Sequence, residues 1–344
     1  MIESLEALLS RALAARDALV EAPYQRAFRA FAGFYEGYPS LVVDLYARTL
    51  LIFDRHDSSV GDEPAVREVL RVALDRWPWI QTAVWKKRHA TTREERNGIL
   101  IHGDAAHLPR RIVENGVRYA IDLMLNRDAS FYLDTRALRA WAKHELAGQR
   151  VLNTFAYTGS LGVAARAAPA AEVVQIDLNR RFLELAKRSY TLNGFEVRRA
   201  QFRVGDFFPE VARLRREGKL FDAVIVDPPF FSSTGKGRVD LEQSPINIVN
   251  KVRPLLADGG RLVLVNNALF VSGVEYMQQL NALCADGYLA LEQTLPVPDD
   301  VIGVPARSVA LVNALPVDPA PFNHPTKIAI LRARRKDGRR VEKP

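Results

Sequence analysis

The amino-acid sequence predicts an α/β protein: a seven-stranded, mostly parallel sheet covered by helices on both faces, preceded by a small α+β domain. Three observations carry this. From Val151 onward, short apolar runs alternate with helical stretches, the pattern of parallel strands joined by crossover helices. Seven such runs are read, opening at Val151, Val173, Phe202, Phe221, Gly260, Tyr288 and Lys327. Three of them run into an acid: Asp177, Asp206 and Asp227. Sheets of this kind bind ligands outside the carboxyl ends of their strands. Neighbouring parallel strands would therefore gather the three acids and the turn Tyr157-Thr158-Gly159 around one crevice.

The elements follow in order. Leucines at 5, 8, 9, 13 and 19 predict a helix over 3–22. The stretch from Tyr24 to Phe34 is aromatic and basic, and reads either as a packing strip or as a platform for RNA bases. Two strands of a tight hairpin are expected at Leu41–Asp44 and Thr49–Phe53, a helix at Pro64–Trp77 and a strand at Ile80–Lys86. Ile112 to Ile121 is a second hairpin, turned by Asn115-Gly116. These make a small domain over residues 1–125. The second domain, 126–344, begins with a helix that runs through His144 and is broken by Gly148-Gln149. The helix after Asp177 starts near Asn179, buries Phe182, Leu185, Ala186 and Ser189, and ends in a left-handed cap at Asn193-Gly194. A further helix is expected over Gly273–Ala285. Between the last two strands, residues 296–325 are rich in proline and read either as a wall or lid on the substrate side or as a surface excursion.

Composition bounds the function. The chain has 344 residues, 48% of them apolar and 26% charged, as in globular proteins. No apolar run approaches the roughly 20 residues that cross a bilayer. The first residues are acidic and helical, unlike a basic leader. The single cysteine, Cys284, rules out an internal disulfide and a four-thiolate zinc site, so a cytoplasmic location and no metal are expected. The formal charge of +8 permits a polyanionic partner. Its excess gathers at Trp85-Lys-Lys-Arg-His89 with Arg93, and in a tail from Arg332 to Lys343.

The chemistry concentrates at the strand tips. The Gly159 turn matches neither G-x-G-x-x-G nor the triphosphate loop G-x-x-x-x-G-K-[ST]. Asp177 lies about 20 residues beyond it, where an acid takes ribose hydroxyls. Asp206 and Phe207 suit an adenine amine and ring face, and a helix cap is an equal reading of Asp206. Asp227-Pro228-Pro229-Phe230 is the most specific motif. Two prolines fix the backbone and aim the preceding carboxyl and carbonyl outward. Phe230 or Phe231 is placed to stack on a target base.

These motifs, with Leu41-Val-Val-Asp44-Leu-Tyr46, Phe131-Tyr-Leu-Asp-Thr-Arg136, Leu152-Asn-Thr-Phe-Ala-Tyr-Thr-Gly159, Asn193-Gly194 and Gly205-Asp206-Phe207, resemble class I S-adenosylmethionine-dependent methyltransferases. The similarity is greatest to the bacterial 23S ribosomal RNA large-subunit group, with its RlmI-type enzymes that make 5-methylcytosine and RlmK-type enzymes that make N7-methylguanine. The resemblance implies a Rossmann-like catalytic domain, S-adenosyl-L-methionine as cofactor, ribosomal RNA as partner and a possible homodimer. It implies that Phe131, Arg136, Phe155, Tyr157, Thr158, Gly159, Asp177, Leu178, Asp206, Phe207 and Asp227 surround the cofactor. Asp227, Pro228, Pro229, Phe230 and Asn266 are the expected catalytic set.

Two departures bear on the substrate. RlmI-type enzymes carry a PUA RNA-binding domain before the small domain, and about 25 residues precede the matching region here. A protein without that domain is expected, which keeps a small-molecule or protein substrate open. Methylation at cytosine C5 also needs a thiolate, which that group places after the fifth strand. This chain has Asn266-Asn267-Ala268 there, as in the RlmK-type pattern. The asparagines read either as a base-edge contact or as a strand-end turn with a helix cap. Cys284 lies in an apolar helix, where a core thiol is expected. The sequence therefore predicts direct transfer to a base, best guanine N7, with cytosine C5 as the alternative.

Overall fold

The computed structural model describes residues 3–240, 245–304 and 318–341. They form two compact units. The first holds the described residues up to Asp134 together with Pro298 to Val304; the second holds Thr135–Val297 and the described residues from Asp318 onward. The boundary falls at 134/135, later than the expected 125/126, because the intervening segment is tied into the first unit. Lys86 Nζ donates to the carbonyls of Asn126 and Asp128 at 2.7 and 2.8 Å, and Tyr46 Oη donates to that of Phe131 at 2.6 Å.

The first unit contains α1 (Leu5–Ala14), β1 (Ala27–Ala32), α2 (Gly33–Glu36), β2 (Leu41–Tyr46), β3 (Thr49–Asp54), α3 (Glu63–Arg76), β4 (Thr82–Lys87), α4 (Arg93–Asn97), β5 (Ile99–His102), β6 (Arg111–Glu114) and β7 (Val117–Ala120). Strands β1 to β5 form one sheet in sequence order, parallel between β3 and β4. Val43, Leu45, Leu50, Ile52 and Ala83 pack on Leu8, Leu9 and Leu13 of α1 and on Val66 and Val69 of α3. The β6–β7 hairpin turns at Asn115 (φ 51°) and Gly116 (φ 76°), as the Asn-Gly pair predicts. Phe28 and Phe31 are buried in the core, and Tyr24 stacks on Trp79 at 4.3 Å, so the aromatic strip packs internally.

The first helix stops at Ala14 instead of continuing to residue 22. Arg16 turns into the interior, where Nη1 donates to Glu36 Oε1 at 2.8 Å and Nη2 to the Asp300 carbonyl at 2.9 Å. Asp300 also accepts from Arg29 N, and Glu36 from Val304 N. The start of the proline-rich stretch, α11 (Asp299–Ile302), is thus stitched into the first unit. Residues 305–317 of that stretch, with Pro305 and Pro316, lie outside the described residues.

The second unit contains α5 (Arg136–Glu145), β8 (Arg150–Thr154), α6 (Ser160–Ala167), β9 (Glu172–Asp177), α7 (Arg180–Leu192), β10 (Phe202–Val204), α8 (Phe207–Arg216), β11 (Phe221–Val226), β12 (Phe231–Thr234), β13 (Gly237–Asp240), α9 (Pro245–Val252), β14 (Leu256–Asn266), α10 (Gly273–Cys284), β15 (Leu289–Leu295) and β16 (Lys327–Ala333). Its sheet has seven strands in the order β10-β9-β8-β11-β14-β16-β15. The first five are parallel and β16 is antiparallel to both neighbours. Alternation within each strand feeds two cores. Val151, Val173, Ile225 and Val263 face Leu138 and Trp141 of α5 and Leu161 and Ala164 of α6. Leu152, Val174, Val224 and Leu262 face Val211 of α8, Ile248 of α9 and Leu280 of α10. The strand order reverses between β8 and β11, the switch point where such sheets open a crevice.

Candidate active site

Strand register brings the predicted tips together. Asn153 lies beside Gln175 and Thr154 beside Val226, so the next residues outward, Phe155, Asp177 and Asp227, form one row at the carboxyl edge. Thr154 Oγ1 donates to the Ile225 carbonyl at 2.8 Å and fixes the exit of β8.

Immediately beyond, the backbone is left-handed at three of five residues: Phe155 (φ 51°), Tyr157 (φ 51°) and Gly159 (φ 76°). A non-glycine residue held there costs about 1–3 kcal/mol and needs surrounding structure to hold it. Asp177 supplies part of that hold. One carboxylate oxygen accepts from Tyr157 N at 2.7 Å and the other from Asn179 N at 2.8 Å. Burial pushes the Asp177 carboxyl up from its ordinary pKa, against the two backbone hydrogen bonds that pull it down. Ala156 N donates to the Ile176 carbonyl and Gly205 N to that of Asp177, binding the tips of β8, β9 and β10 to one another. From beneath, Gln175 and Ala186 press so closely on Gly159 that a Cβ would stand 2.6 Å from Gln175 Oε1 and 2.5 Å from the Ala186 methyl. A Cβ on Gly162 would likewise meet Gln175 at 2.5 Å. Asn153 Nδ2 donates to Gln175 Oε1 at 3.4 Å, so a buried amide pair underlies the turn.

The remaining cofactor-side residues divide. Leu178, beside Asp177, is 64% exposed and offers an apolar surface. Thr158 is buried within the turn. Arg136 opens α5. Asp206 caps α8, accepting from Phe208 N at 2.9 Å, so the helix-cap reading describes one of its oxygens. Phe207, expected to face the adenine ring, is buried. It lies inward with Val211 and Leu214 at helical spacing and stacks on Phe155 at 4.5 Å, leaving Phe155 as the partly exposed ring. Phe131, expected beside the cofactor, is buried. It belongs to the first unit, 1% exposed, with its ring set against Tyr119 at 5.0 Å. Phe182 is half-buried, its ring edge-on to Tyr157 at 4.5 Å, where the sequence placed it in the core.

On the other side, Asp227 is half-buried, Pro228 buried and Pro229 exposed. Phe230 packs against the core, and Phe231 is 52% exposed. Asn266 is buried, and its Oδ1 accepts from Ala268 N at 2.8 Å, the strand-end turn. Asn267 instead reaches the tip of β11, donating from Nδ2 to the Pro228 carbonyl at 3.4 Å. A cavity of about 20 Å³ lies below, lined by Pro228, Ile248, Leu264, Asn266, Tyr276 and Gln279. That is roughly room for one water. Sequence reasoning missed Lys327. It pairs with Asn266 across β14 and β16, is fully buried, and donates to the carbonyls of Ala268 and Pro325 at 3.2 and 2.7 Å. Burial holds its ammonium down at about 8. Its signal was a lysine opening an otherwise apolar strand.

Among the described residues, no cluster of three His, Cys, Asp or Glu is placed to hold a metal, and no helix is long and apolar enough to cross a membrane.

A tight left-handed turn held by a carboxylate, with an exposed leucine beside it at a switch point, fits a nucleoside ligand. Comparison with known proteins agrees. Residues 88–300 match the model of the S-adenosylmethionine-dependent methyltransferase family. The chain is 32% identical over 260 residues to ribosomal RNA large subunit methyltransferase I of Aeromonas salmonicida, and 28% identical over 260 residues to the protein of the same name from Shewanella frigidimarina. Each match covers 74% of this chain and 64% of the relative, so the chain spans less than two thirds of their length. The fold is similar to that of SMU.776, solved as a complex with SAH, at a TM-score of 0.81 and 20% identity, covering 96% of this chain and 81% of that one. The chain belongs to the S-adenosylmethionine-dependent methyltransferases, enzymes whose cofactor is S-adenosylmethionine.

Proposed function

We propose that this chain methylates a base of RNA, ribosomal RNA first, by direct transfer to a ring nitrogen, with guanine N7 as acceptor. S-adenosyl-L-methionine supplies an electrophilic methyl on its sulfonium. In this reading Phe155, Tyr157, Thr158, Gly159, Asp177, Leu178, Asp206 and Arg136 hold the cofactor. Asp177 does so by fixing the turn and taking ribose hydroxyls. Asp227 and the proline-stiffened backbone at Pro228 and Pro229 orient the acceptor in line with the methyl, the contribution that positioning makes to such a transfer. Phe230 or Phe231 stacks on the base. Guanine N7 carries a free lone pair, so no residue needs to remove a proton before attack.

The observation that carries the choice of acceptor is the position of Cys284. It ends α10, packs against the core beside Leu291, and burial pushes its thiol pKa up. Leu291 pairs with Leu331, which pairs with Leu262, four residues before Asn266, so the thiol lies away from the carboxyl edge that carries Asp227. Asn266 and Asn267 stand at that edge instead, and an amide cannot add to a ring carbon. The relatives' name supports ribosomal RNA as the substrate.

The test is incubation with labelled S-adenosylmethionine and total RNA from a strain lacking the gene, followed by nucleoside mass analysis. The expected product is 7-methylguanosine. Labelled 5-methylcytidine would overturn the acceptor and return the thiolate route. Label only in small molecules or protein would overturn the RNA reading.

A further inference from the structure

The first unit carries a basic site that the methyl-transfer reading leaves unused. Parallel strands β3 and β4 end in register at Asp54 and Lys87, and Arg88 N donates to the Asp54 carbonyl at 2.9 Å. Each strand then leaves the sheet in the same dipeptide, Arg55-His56 and Arg88-His89. All four residues are exposed. Arg29, on the same sheet, stands close enough to affect Arg55 electrostatically and is itself paired with Asp44 at 2.8 Å. Although Arg55 reaches solvent, the surrounding protein partly desolvates it, which lowers its pKa first; the charges of Arg29 and Arg88 lower it further, while Asp44 and Asp128 act the other way. Asp57 faces His89 at 3.6 Å.

Other arginines of this unit have carboxylates: Arg67 has Glu63, Arg71 has Glu68 and Arg76 has Asp17. The guanidiniums of Arg55 and Arg88 make no hydrogen bond or ion pair with another described residue. Asp44 and Asp128 offset the repulsion between these neighbouring like charges only from a distance, and an anion accepted between the two guanidiniums relieves it directly. Guanidinium is the side chain best shaped for bidentate phosphate binding. We propose that Arg55 and Arg88 form a two-pronged site for backbone phosphates of the RNA substrate. The inference rests on the RNA reading above and adds where the strand is gripped.

The test measures binding of a fluorescein-labelled 20-nucleotide oligouridylate to the full chain by anisotropy across a salt series. Each phosphate contact with a single strand contributes about 0.7 to the slope of log affinity against log salt. The double variant Arg55→Gln/Arg88→Gln is expected to flatten that slope by about 1.4. S-adenosylmethionine binding, followed by calorimetry, should be unchanged, which shows that the variant is folded. Arg67→Gln, on the outer surface of α3, should leave the slope as it was. RNA binding with an unchanged slope in the double variant would overturn this site and leave the RNA reading standing. An equal flattening by Arg67→Gln would overturn it as a general charge effect. No binding by the unaltered protein would overturn both.

Discussion

The two strand exits that flank the switch point are built differently. After β8, the turn with left-handed backbone at Phe155, Tyr157 and Gly159 is held in part by Asp177, braced from beneath by Gln175 and Ala186, and linked to the tips of β9 and β10. After β11, Asp227-Pro-Pro is stiffened by its own prolines, and Asn267 of the loop after β14 donates to the Pro228 carbonyl at 3.4 Å, near the long limit for such bonds. Phe231, Leu269 and Phe270 stand exposed on that side, at 52%, 52% and 59%. The comparison teaches a division of labour. The β8 side is shaped before any ligand arrives, which lowers the ordering cost of binding. The β11 side presents exposed apolar side chains at Phe231, Leu269 and Phe270.

The comparison can be broken most severely at Gly159. Gly159→Arg forces a Cβ into Gln175 and Ala186 at a positive φ, so cofactor binding and methyl transfer should both disappear. Calorimetry with S-adenosylmethionine and a transfer assay check this. Asp227→Ala should lower kcat by about 100- to 1,000-fold, the scale of losing one group aimed at a transition state. A value within threefold of the unaltered enzyme would remove Asp227 from the reaction. Acidification should weaken cofactor binding from a higher pH than an ordinary carboxylate would give. Burial raises the pKa of Asp177, and once protonated it accepts less strongly from Tyr157 N and Asn179 N. Affinity measured across pH should show that decline, and Asp177→Asn should flatten it. On the β11 side, Asn267→Ala removes one neutral hydrogen bond worth about 1 kcal/mol, so kcat should fall roughly fivefold. Cys284→Ser should leave methyl transfer unchanged, and its inactivation in a folded variant would restore the thiolate mechanism.

Much of this was legible in the sequence because strands and their acid tips have local signatures. Alternating apolar runs gave the sheet, and Asp177, Asp206 and Asp227 marked the carboxyl edge. The Asn115-Gly116 turn and the Asn193-Gly194 cap were readable because those residues favour left-handed backbone. Phe155 and Tyr157 adopt the same conformation without any such signal, because their strain is held by contacts distant in sequence. The amide pair Asn153–Gln175 was hidden for the same reason. The return of Asp299–Ile302 to the first unit depends on Arg16 and Glu36, whose contacts there span 284 and 268 residues of the chain. Asn266 and Asn267 could not be told apart from spacing, since a strand end sends one inward and the next across to Pro228.

The most direct test of the contrast is S-adenosylmethionine calorimetry on two variants, Asp177→Ala and Asn267→Ala. Losing charge-assisted hydrogen bonds to the turn should weaken cofactor binding by about 10- to 100-fold in the first. The second should bind within about twofold of the unaltered enzyme, since a change below 0.5 kcal/mol is all that a distant surface tie should transmit. Equal affinities for Asp177→Ala and the unaltered enzyme, or a larger loss in Asn267→Ala, would contradict the account.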